Sequence, residues 1–525
     1  MEFTKKLICE NLRNLRENIK LRTNNINMKH ITKTIKLEFL ILSFLIICNI
    51  SAFSQEGLTL EKSLNIAEVN SPTMKKTRLS LTRSQENLNA QNASLKSQFS
   101  LSLTPISYNQ GKVFNELISS YNTQKNIQTS GTFAIRQPIV LTDATISLTN
   151  TFGYLDSYSQ FVGTQQQKVF SNNLAISLDQ PLFTYNKTKL TLKELQLALE
   201  NAQLNYAIQL LALEKNVTQA FYSVYQQQQS LEISRQAYQN MQKSYEVSKN
   251  KVDAGISPRE EMFQAELNLA TTKSDFENKQ VLLENAKDDF KLLIGMSLYD
   301  DLLAIPNIAV DTIAIDVSFA IDQGLHNRME LRQRKIDIET SQFDLIQTKA
   351  QNEFKGSLGL SLGLTGDNEK LRNVYDNSSR TDNELVSLSL EIPLWDWGRR
   401  KSMIKASEAG IATSQIALEE EQNNIILDIR KVYRNLLNLR NQIEIARQNV
   451  INAQLTYDLN LERYKNGDLT GMDLNIYQNQ LSDKQLTYTN SLISYKLELL
   501  NLKIQTLYDF EKKEGVTPVM TIDKK

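Results

Sequence analysis

The amino-acid sequence predicts a mainly α-helical fold with pairs of amphipathic β-strands, in which one structural plan occurs twice. Three observations predict it: motifs that recur at a constant offset, heptad-spaced apolar residues over long stretches, and short segments where apolar and small residues alternate. Pro (8) and Gly (17) are scarce for a chain of 525 residues, and this scarcity favours long uninterrupted helices over a loop-rich fold.

The N-terminal segment is interpreted as a targeting signal. An apolar stretch over 37–50 follows basic residues, and Ala52-Phe53-Ser54 fits a cleavage site before Gln55. The alternative is an anchor that stays in the membrane, for which this stretch is short. We therefore predict that residues 1–54 are an N-terminal extension and signal peptide, with Met28 as the start and cleavage near Ser54/Gln55.

The residues after the signal offer no set of groups for chemistry. Both cysteines, Cys9 and Cys48, lie in the predicted leader, and His326 is the single histidine beyond it. No P-loop or dinucleotide loop is present, so no catalytic residue, cofactor or metal ligand is predicted and an enzyme is not expected. Residues 55–525 carry 50 basic and 55 acidic side chains, a net charge of −5, and no nucleic-acid partner is expected.

The internal repeat has an offset of 212 residues. Pro181-Leu182-Phe183 corresponds to Pro393-Leu394-Trp395, and Gly255 corresponds to Gly467. Nearer the N-terminus the offset is 257, so the first copy holds about 45 extra residues between about 99 and 143. These form either an added hairpin or an external loop. We predict a first structural repeat at 55–305, a second at 306–510, and a C-terminal tail at 511–525.

Each copy is predicted to contain a long helical hairpin. Residues 182–254 contain neither Pro nor Gly, and apolar residues recur there every seven positions. Some 65–70 helical residues would make a rod on the order of 100 Å long. This pattern alone also suits a cytosolic coiled coil. The heptad positions of the first copy are Leu210, Val217, Val224, Leu231, Tyr238, Tyr245 and Val252.

Alternating segments of about nine residues are typical of strands in a membrane β-barrel, although a soluble two-layer sheet would suit the same alternation. Two such pairs per chain cannot close a barrel, whereas three chains with four strands each supply twelve. Aromatic residues end both pairs, where membrane-interface contact is favoured over core packing. Apolar alternation is clearest at Leu358, Leu360, Leu362 and Leu364, and the interface aromatics are Phe183, Tyr185, Trp395 and Trp397.

The two helical hairpins turn at glycines. Gly255 and Gly467 fit the left-handed position that closes a helix, and Ser257 or Thr470 is suited to cap the next one. Pro258 is expected in the first turn of the following helix.

With these motifs in this order and duplicated, the sequence resembles the TolC-type outer-membrane efflux family, the outer membrane factors of tripartite efflux and type I secretion systems. Any one motif is weak, and the resemblance covers essentially residues 58–509. The motifs are Leu58-Thr59-Leu60-Glu61-Lys62-Ser63-Leu64, Asn70-Ser71-Pro72, Gln180-Pro181-Leu182-Phe183, Ile392-Pro393-Leu394-Trp395-Asp396-Trp397-Gly398-Arg399, and Arg463-Tyr464 with Gly467 and Asp473.

The resemblance implies a homotrimer in which a 12-stranded transmembrane β-barrel continues into a periplasmic α-helical barrel. It implies an exit duct in the outer membrane that contacts outer-membrane lipid, docks to a periplasmic adaptor protein and reaches an inner-membrane pump through it. The rival interpretation is a secreted helical scaffold or stalk without a pore.

Site residues are also implied by the resemblance. The aperture or gate residues would be Glu261, Tyr464 and Asp473. A basic partner of the gate tyrosine in some relatives would fall at Leu469, so a charge-linked gate is doubtful here. The adaptor-docking tips would be Gly255, Ile256, Ser257, Gly467, Asp468 and Leu469.

Overall fold

The computed structural model describes residues 57–516 apart from 117–118, 161–163, 307, 309–312 and 352. The predicted signal peptide, its cleavage site and residues 517–525 of the tail lie outside these residues. The chain divides into two units. In the smaller one Leu58 forms a parallel bridge with Ala304, and the Leu58 N–H donates to the Leu303 carbonyl at 2.8 Å.

The larger unit begins with two helices and four strands. Helix α1 begins after Thr59, whose hydroxyl caps it by accepting from the Lys62 N–H. The elements of the first copy are α1 (Leu60–Asn70), α2 (Pro72–Ser94), β1 (Gln98–Asn115), β2 (Ser120–Ile139), β3 (Ala144–Gln160), β4 (Thr164–Leu182), α3 (Lys187–Asp253) and α4 (Arg259–Ile294).

The second copy repeats this order with a single strand pair. Two short 3-10 turns lie between its strands, and a two-residue pair, β7 (Tyr508–Asp509) and β8 (Glu514–Gly515), follows it. Its elements are α5 (Val317–Asn327), α6 (Met329–Lys349), β5 (Lys355–Asn368), β6 (Arg380–Glu391), α7 (Arg399–Asn466) and α8 (Gly471–Thr506).

The helix bounds follow the repeat offsets read from the sequence. Helices α3 and α7 begin 212 residues apart, as do α4 and α8, while α1 and α5 are 257 apart. The duplicated plan is therefore confirmed at the level of single helices. His326 lies in α5 as predicted, with its side chain 72% exposed and paired with Asp322.

The strand count differs from the prediction. The 45-residue excess forms the strand pair β1–β2, which settles the choice between a hairpin and an external loop. The described strands β1 to β6 make one antiparallel sheet in sequence order. Each chain thus supplies six strands instead of the four on which the twelve-stranded count rested.

The sheet has one apolar face and one face of small and polar side chains. Cross-strand partners lie on the same face, and Ile135, Leu148 and Ile176 are successive partners along one row. On the other face Ala134 is 8% exposed, against 43% for its chain neighbour Phe133. The sheet therefore curls with its apolar face outward.

Heptad-spaced side chains hold the long helices. Val217 and Val224 of α3 are completely buried, as is Ile429 of α7. One apolar cluster joins α5, α6, α7 and α8 around Ile425, Ile429 and Leu502, and another joins α3 and α6. None of the helices described has the length and apolarity needed to cross a bilayer.

Gly295 closes α4 and provides a test of this packing. Its φ is +72°, and an added Cβ would lie 2.5 Å from the Asn70 carbonyl oxygen at the end of α1. We expect Gly295→Ala to destabilise the protein by at least about 1–2 kcal/mol, because left-handed backbone disfavours any Cβ. Gly410 in α7 is the control, since nothing lies within 4 Å of its would-be Cβ.

Circular dichroism at 222 nm against temperature measures the effect. The apparent unfolding temperature should fall for Gly295→Ala and stay level or rise for Gly410→Ala, since Ala stabilises an exposed helix interior by roughly 0.5–1 kcal/mol over Gly. Equal shifts for both variants would contradict the assigned packing.

Candidate functional site at the helical tips

Each long helical hairpin turns at a left-handed glycine, as predicted. Gly255 has φ +73° and Gly467 has φ +89°. After α3 the Ile256 N–H donates to the Lys251 carbonyl at 2.8 Å, and after α7 the Asp468 N–H donates to the Arg463 carbonyl at 2.9 Å. This bonding satisfies carbonyls that the helix end would otherwise leave open.

The caps that follow the two turns differ. Thr470 caps α8: its hydroxyl accepts from the Asp473 N–H at 3.2 Å and donates to the Asp473 carboxylate at 2.7 Å. Before α4, Pro258 holds the cap position with ψ 155° and makes no side-chain cap bond. The predicted cap at Ser257 and first-turn place of Pro258 are therefore wrong, because the helix begins one residue later than expected.

The predicted docking residues surround these two turns. Ile256 is 76% exposed, although it is a large apolar side chain. Leu469 instead packs against the buried cluster of Tyr457, Tyr464 and Leu474. The exposed members are Gly255, Ile256, Gly467 and Asp468, while Ser257 and Leu469 are half-buried.

Tyr464 of α7 joins the two hairpins. Its ring is 1% exposed, and its hydroxyl donates to the Ser244 carbonyl of α3 at 2.9 Å. Because a phenol has one proton, the 2.8 Å contact with the Ser248 hydroxyl is one in which Ser248 donates. Burial raises the pKa of Tyr464, and so does the charge of Glu261, so the phenol keeps its proton over the neutral range.

Lys251 provides the positive charge at this contact. Its ammonium donates to the Tyr464 carbonyl at 2.7 Å and lies 4.6 Å from the centre of the Tyr464 ring. A cation over an aromatic face and at a helix C-terminus is favourable on both counts. The sequence comparison had matched Lys251 to Arg463 in the repeat, but it gave no reason to place the ammonium against Tyr464.

The structure brings two of the three predicted gate residues together. Glu261 and Tyr464 line one cavity of about 410 Å³ with Ser248 and Met241. Asp473 does not line it and is held by Thr470 instead. The three are therefore near the same turns but do not form a single cluster.

The predicted interface aromatics lie where strands lead into helices. Trp395 and Trp397 are 75% and 89% exposed and meet edge to face with ring centres 5.6 Å apart. Phe183 packs on Phe354, with ring centres 5.0 Å apart. Tyr185 is half-buried. Among the residues that the structure describes, no three His, Cys, Asp or Glu side chains gather as a metal site would require.

The sequence profile of the outer membrane efflux protein family matches residues 145–295 and 320–503. The cation efflux system protein CusC of Escherichia coli K12 is 22% identical over 316 residues, 59% of this chain and 67% of CusC. The outer membrane efflux protein BepC of Brucella suis is 22% identical over 268 residues, 51% of this chain and 57% of BepC. The chain thus spans about two thirds or less of these relatives' length.

The fold is that of known outer membrane channels. The crystal structure of the Campylobacter jejuni CmeC outer membrane channel superposes with a TM-score of 0.66 at 14% identity, covering 88% of this chain and 87% of CmeC. The predicted fold class is thereby confirmed. Because the family profile matches more than half of the residues, this chain belongs to the outer membrane efflux protein family, and it is located in the outer membrane and extends into the periplasm.

Proposed function

We propose that this protein is the passive exit duct of an efflux system, with its sheet in the outer membrane and its long helices in the periplasm. The observation that carries the proposal is the sheet itself. Its apolar face is exposed and runs across strands that lead directly into helices of 67 and 68 residues. A membrane wall needs such a face toward lipid and a small, polar face toward a water-filled lumen.

The rival, a secreted scaffold without a pore, does not account for that face. Leu101, Ile176 and Leu388 are 65%, 47% and 61% exposed, on three different strands. A water-soluble protein rarely leaves so continuous an apolar patch uncovered. The exposed Trp395 and Trp397, with Phe183 and Tyr185, would lie at the membrane–water boundary, where such rings are favoured.

In this proposal three copies form the duct, and 55–305 and 306–510 are its structural repeats. The exposed turns at Ile256 and Asp468 are the surface on which a periplasmic adaptor docks, and an inner-membrane pump delivers solute through it. The CusC relative belongs to a cation efflux system. The chain itself has no proposed enzymatic activity, cofactor or metal, and either tripartite efflux or type I secretion would use such a duct.

The contact between Tyr464 and α3 is proposed as the latch of the periplasmic aperture. It joins the tip of one hairpin to the tip of the other through Ser244, Ser248 and Lys251. Untwisting of the tip helices would break these bonds and widen the mouth. The charge that some relatives have at the position of Leu469 is supplied here by Lys251, from the other hairpin.

Fractionation tests the proposed function. The mature chain should stay in the outer membrane through an alkaline wash, size as a trimer in detergent and conduct ions in a planar bilayer. A chain that washes off, or that sizes as a monomeric rod, would support the scaffold instead.

Tyr464→Phe tests the latch. The change keeps the ring and removes the hydroxyl, leaving the Ser244 carbonyl and the Ser248 hydroxyl without that partner. Loss of such bonds costs about 1–3 kcal/mol, so the resting open fraction and the mean conductance should rise by roughly tenfold or more. Tyr457→Phe, one heptad earlier on α7, is the control and should leave conductance unchanged. Equal conductance in Tyr464→Phe and the unmodified channel would remove Tyr464 from the latch.

Asp473→Asn tests charge at the aperture. Three copies of Asp473 would place three carboxylates around a narrow mouth and favour cations. Reversal potentials under a salt gradient should show weaker cation selectivity in the variant. Asp483→Asn is the control, because Asp483 is exposed on the same helix about 15 Å further from the turn. Unchanged selectivity in Asp473→Asn would exclude this role.

A further inference from the structure

The added hairpin β1–β2 occupies the edge of β3. Residues Gln124 to Ile139 of β2 pair with β3 from Ser159 to Ala144 without interruption. This pairing is as long as that between β3 and β4. In the described sheet β3 is therefore an interior strand, and the free edges are β1 and β6.

The hairpin extends as far along the sheet as its neighbours do. Strands β1 and β2 contain 18 and 20 residues, against 17 and 19 in β3 and β4. Strand β1 begins four residues after α2 ends, and β2 ends next to the start of β3. The hairpin thus begins at the level where every other strand meets a helix, instead of extending from the far end of the sheet.

The hairpin also carries the same two faces. One row of cross-strand partners is apolar over five strands, and the row beside it is small or polar over the same strands. A loop that projects into water would have no reason to continue an apolar face in register. The apolar row is Phe99, Ile135, Leu148, Ile176 and Leu362, and the small or polar row is Ser100, Ala134, Thr149, Ala175 and Gly363.

The two free edges are complementary. Strand β1 runs away from the helices and β6 runs back to them, so β6 of one copy and β1 of the next would be antiparallel. Phe99 follows the start of β1 by one residue and Leu390 precedes the end of β6 by one, and both are at least half exposed. Strand edges cannot stay unpaired within a bilayer, because no water reaches their N–H and C=O groups.

We propose that each copy contributes six strands to the wall and that β6 of one copy pairs with β1 of the next, so that a trimer closes an eighteen-stranded barrel. The proposal rests on the trimeric duct proposed above. At a strand spacing of about 4.8 Å and a tilt of about 40°, eighteen strands enclose a barrel roughly 36 Å across between backbones, against roughly 24 Å for twelve. The membrane part of the duct would then be about half again as wide.

Cysteine cross-linking across the copy–copy boundary tests the proposal. The described chain contains no cysteine, so single pairs can be introduced on the small, polar face of the sheet. Four double variants combine Ser100→Cys or Ser102→Cys in β1 with Ser387→Cys or Ser389→Cys in β6, which samples neighbouring registers. A short bis-maleimide is added to outer membranes, and products are sized under denaturing conditions.

The matched competitor tests a twelve-stranded wall. Ser147→Cys in β3 is combined with the same two β6 positions, because β3 would be the edge if the hairpin lay outside the wall. We expect covalent dimers and trimers of the chain from at least one β1–β6 variant, and none from the β3–β6 variants or the unmodified parent.

Three outcomes would overturn the proposal. These are cross-linking at β3 instead of β1, no cross-linked copies in any β1–β6 variant that still assembles as a trimer, and a product whose mass is not a multiple of the chain. Trimers that resist the alkaline wash but link through β3 would leave the duct intact and remove only the eighteen-stranded wall. Loss of membrane retention in the unmodified parent would instead remove the duct.

Discussion

Burial of heptad-spaced side chains between long helices is the interaction on which the rest of the molecule depends. A helix of 67 residues has charged and polar side chains along most of its surface, so its stability comes from the stripe it buries. Val217, Val224 and Ile429 are fully enclosed in that stripe. The strands emerge from the ends of these helices, and the tips are their other ends, so both surfaces of functional interest are positioned by the same packing.

The tips show how a duplicated plan acquires unequal parts. Both turns use a left-handed glycine, yet only Thr470 caps the helix that follows, because Pro258 occupies the corresponding place in the first copy. Tyr464 of the second copy is inserted against α3 of the first, where Lys251 holds its carbonyl and its ring. The two hairpins are thus partners rather than equivalents, and a contact of this kind can open without unfolding either of them.

Much of this was predictable from the sequence, and for a clear reason. Helix bounds 212 and 257 residues apart follow from motifs such as Pro181 and Pro393, since a repeated local pattern produces a repeated local structure. The site was less accessible. Leu469 marked the absence of a basic gate residue, but Lys251 belongs to the other hairpin, and the distance from its ammonium to Tyr464 depends on how two separate helices pack. The extra strand pair was visible as an excess, yet alternation in 98–139 alone did not distinguish a wall strand from a loop.

The sequence by itself determined the duplication, the heptad helices, the glycine turns and the membership of an outer membrane efflux family, because each of these is local or periodic. Tertiary structure alone decided that β2 pairs with β3, that β1 and β6 are the free edges, and that Tyr464 is buried against Ser244 and Ser248. Those facts join residues up to 220 positions apart. Strand pairing and side-chain insertion at such separations depend on the packing of the whole chain, which no local pattern encodes.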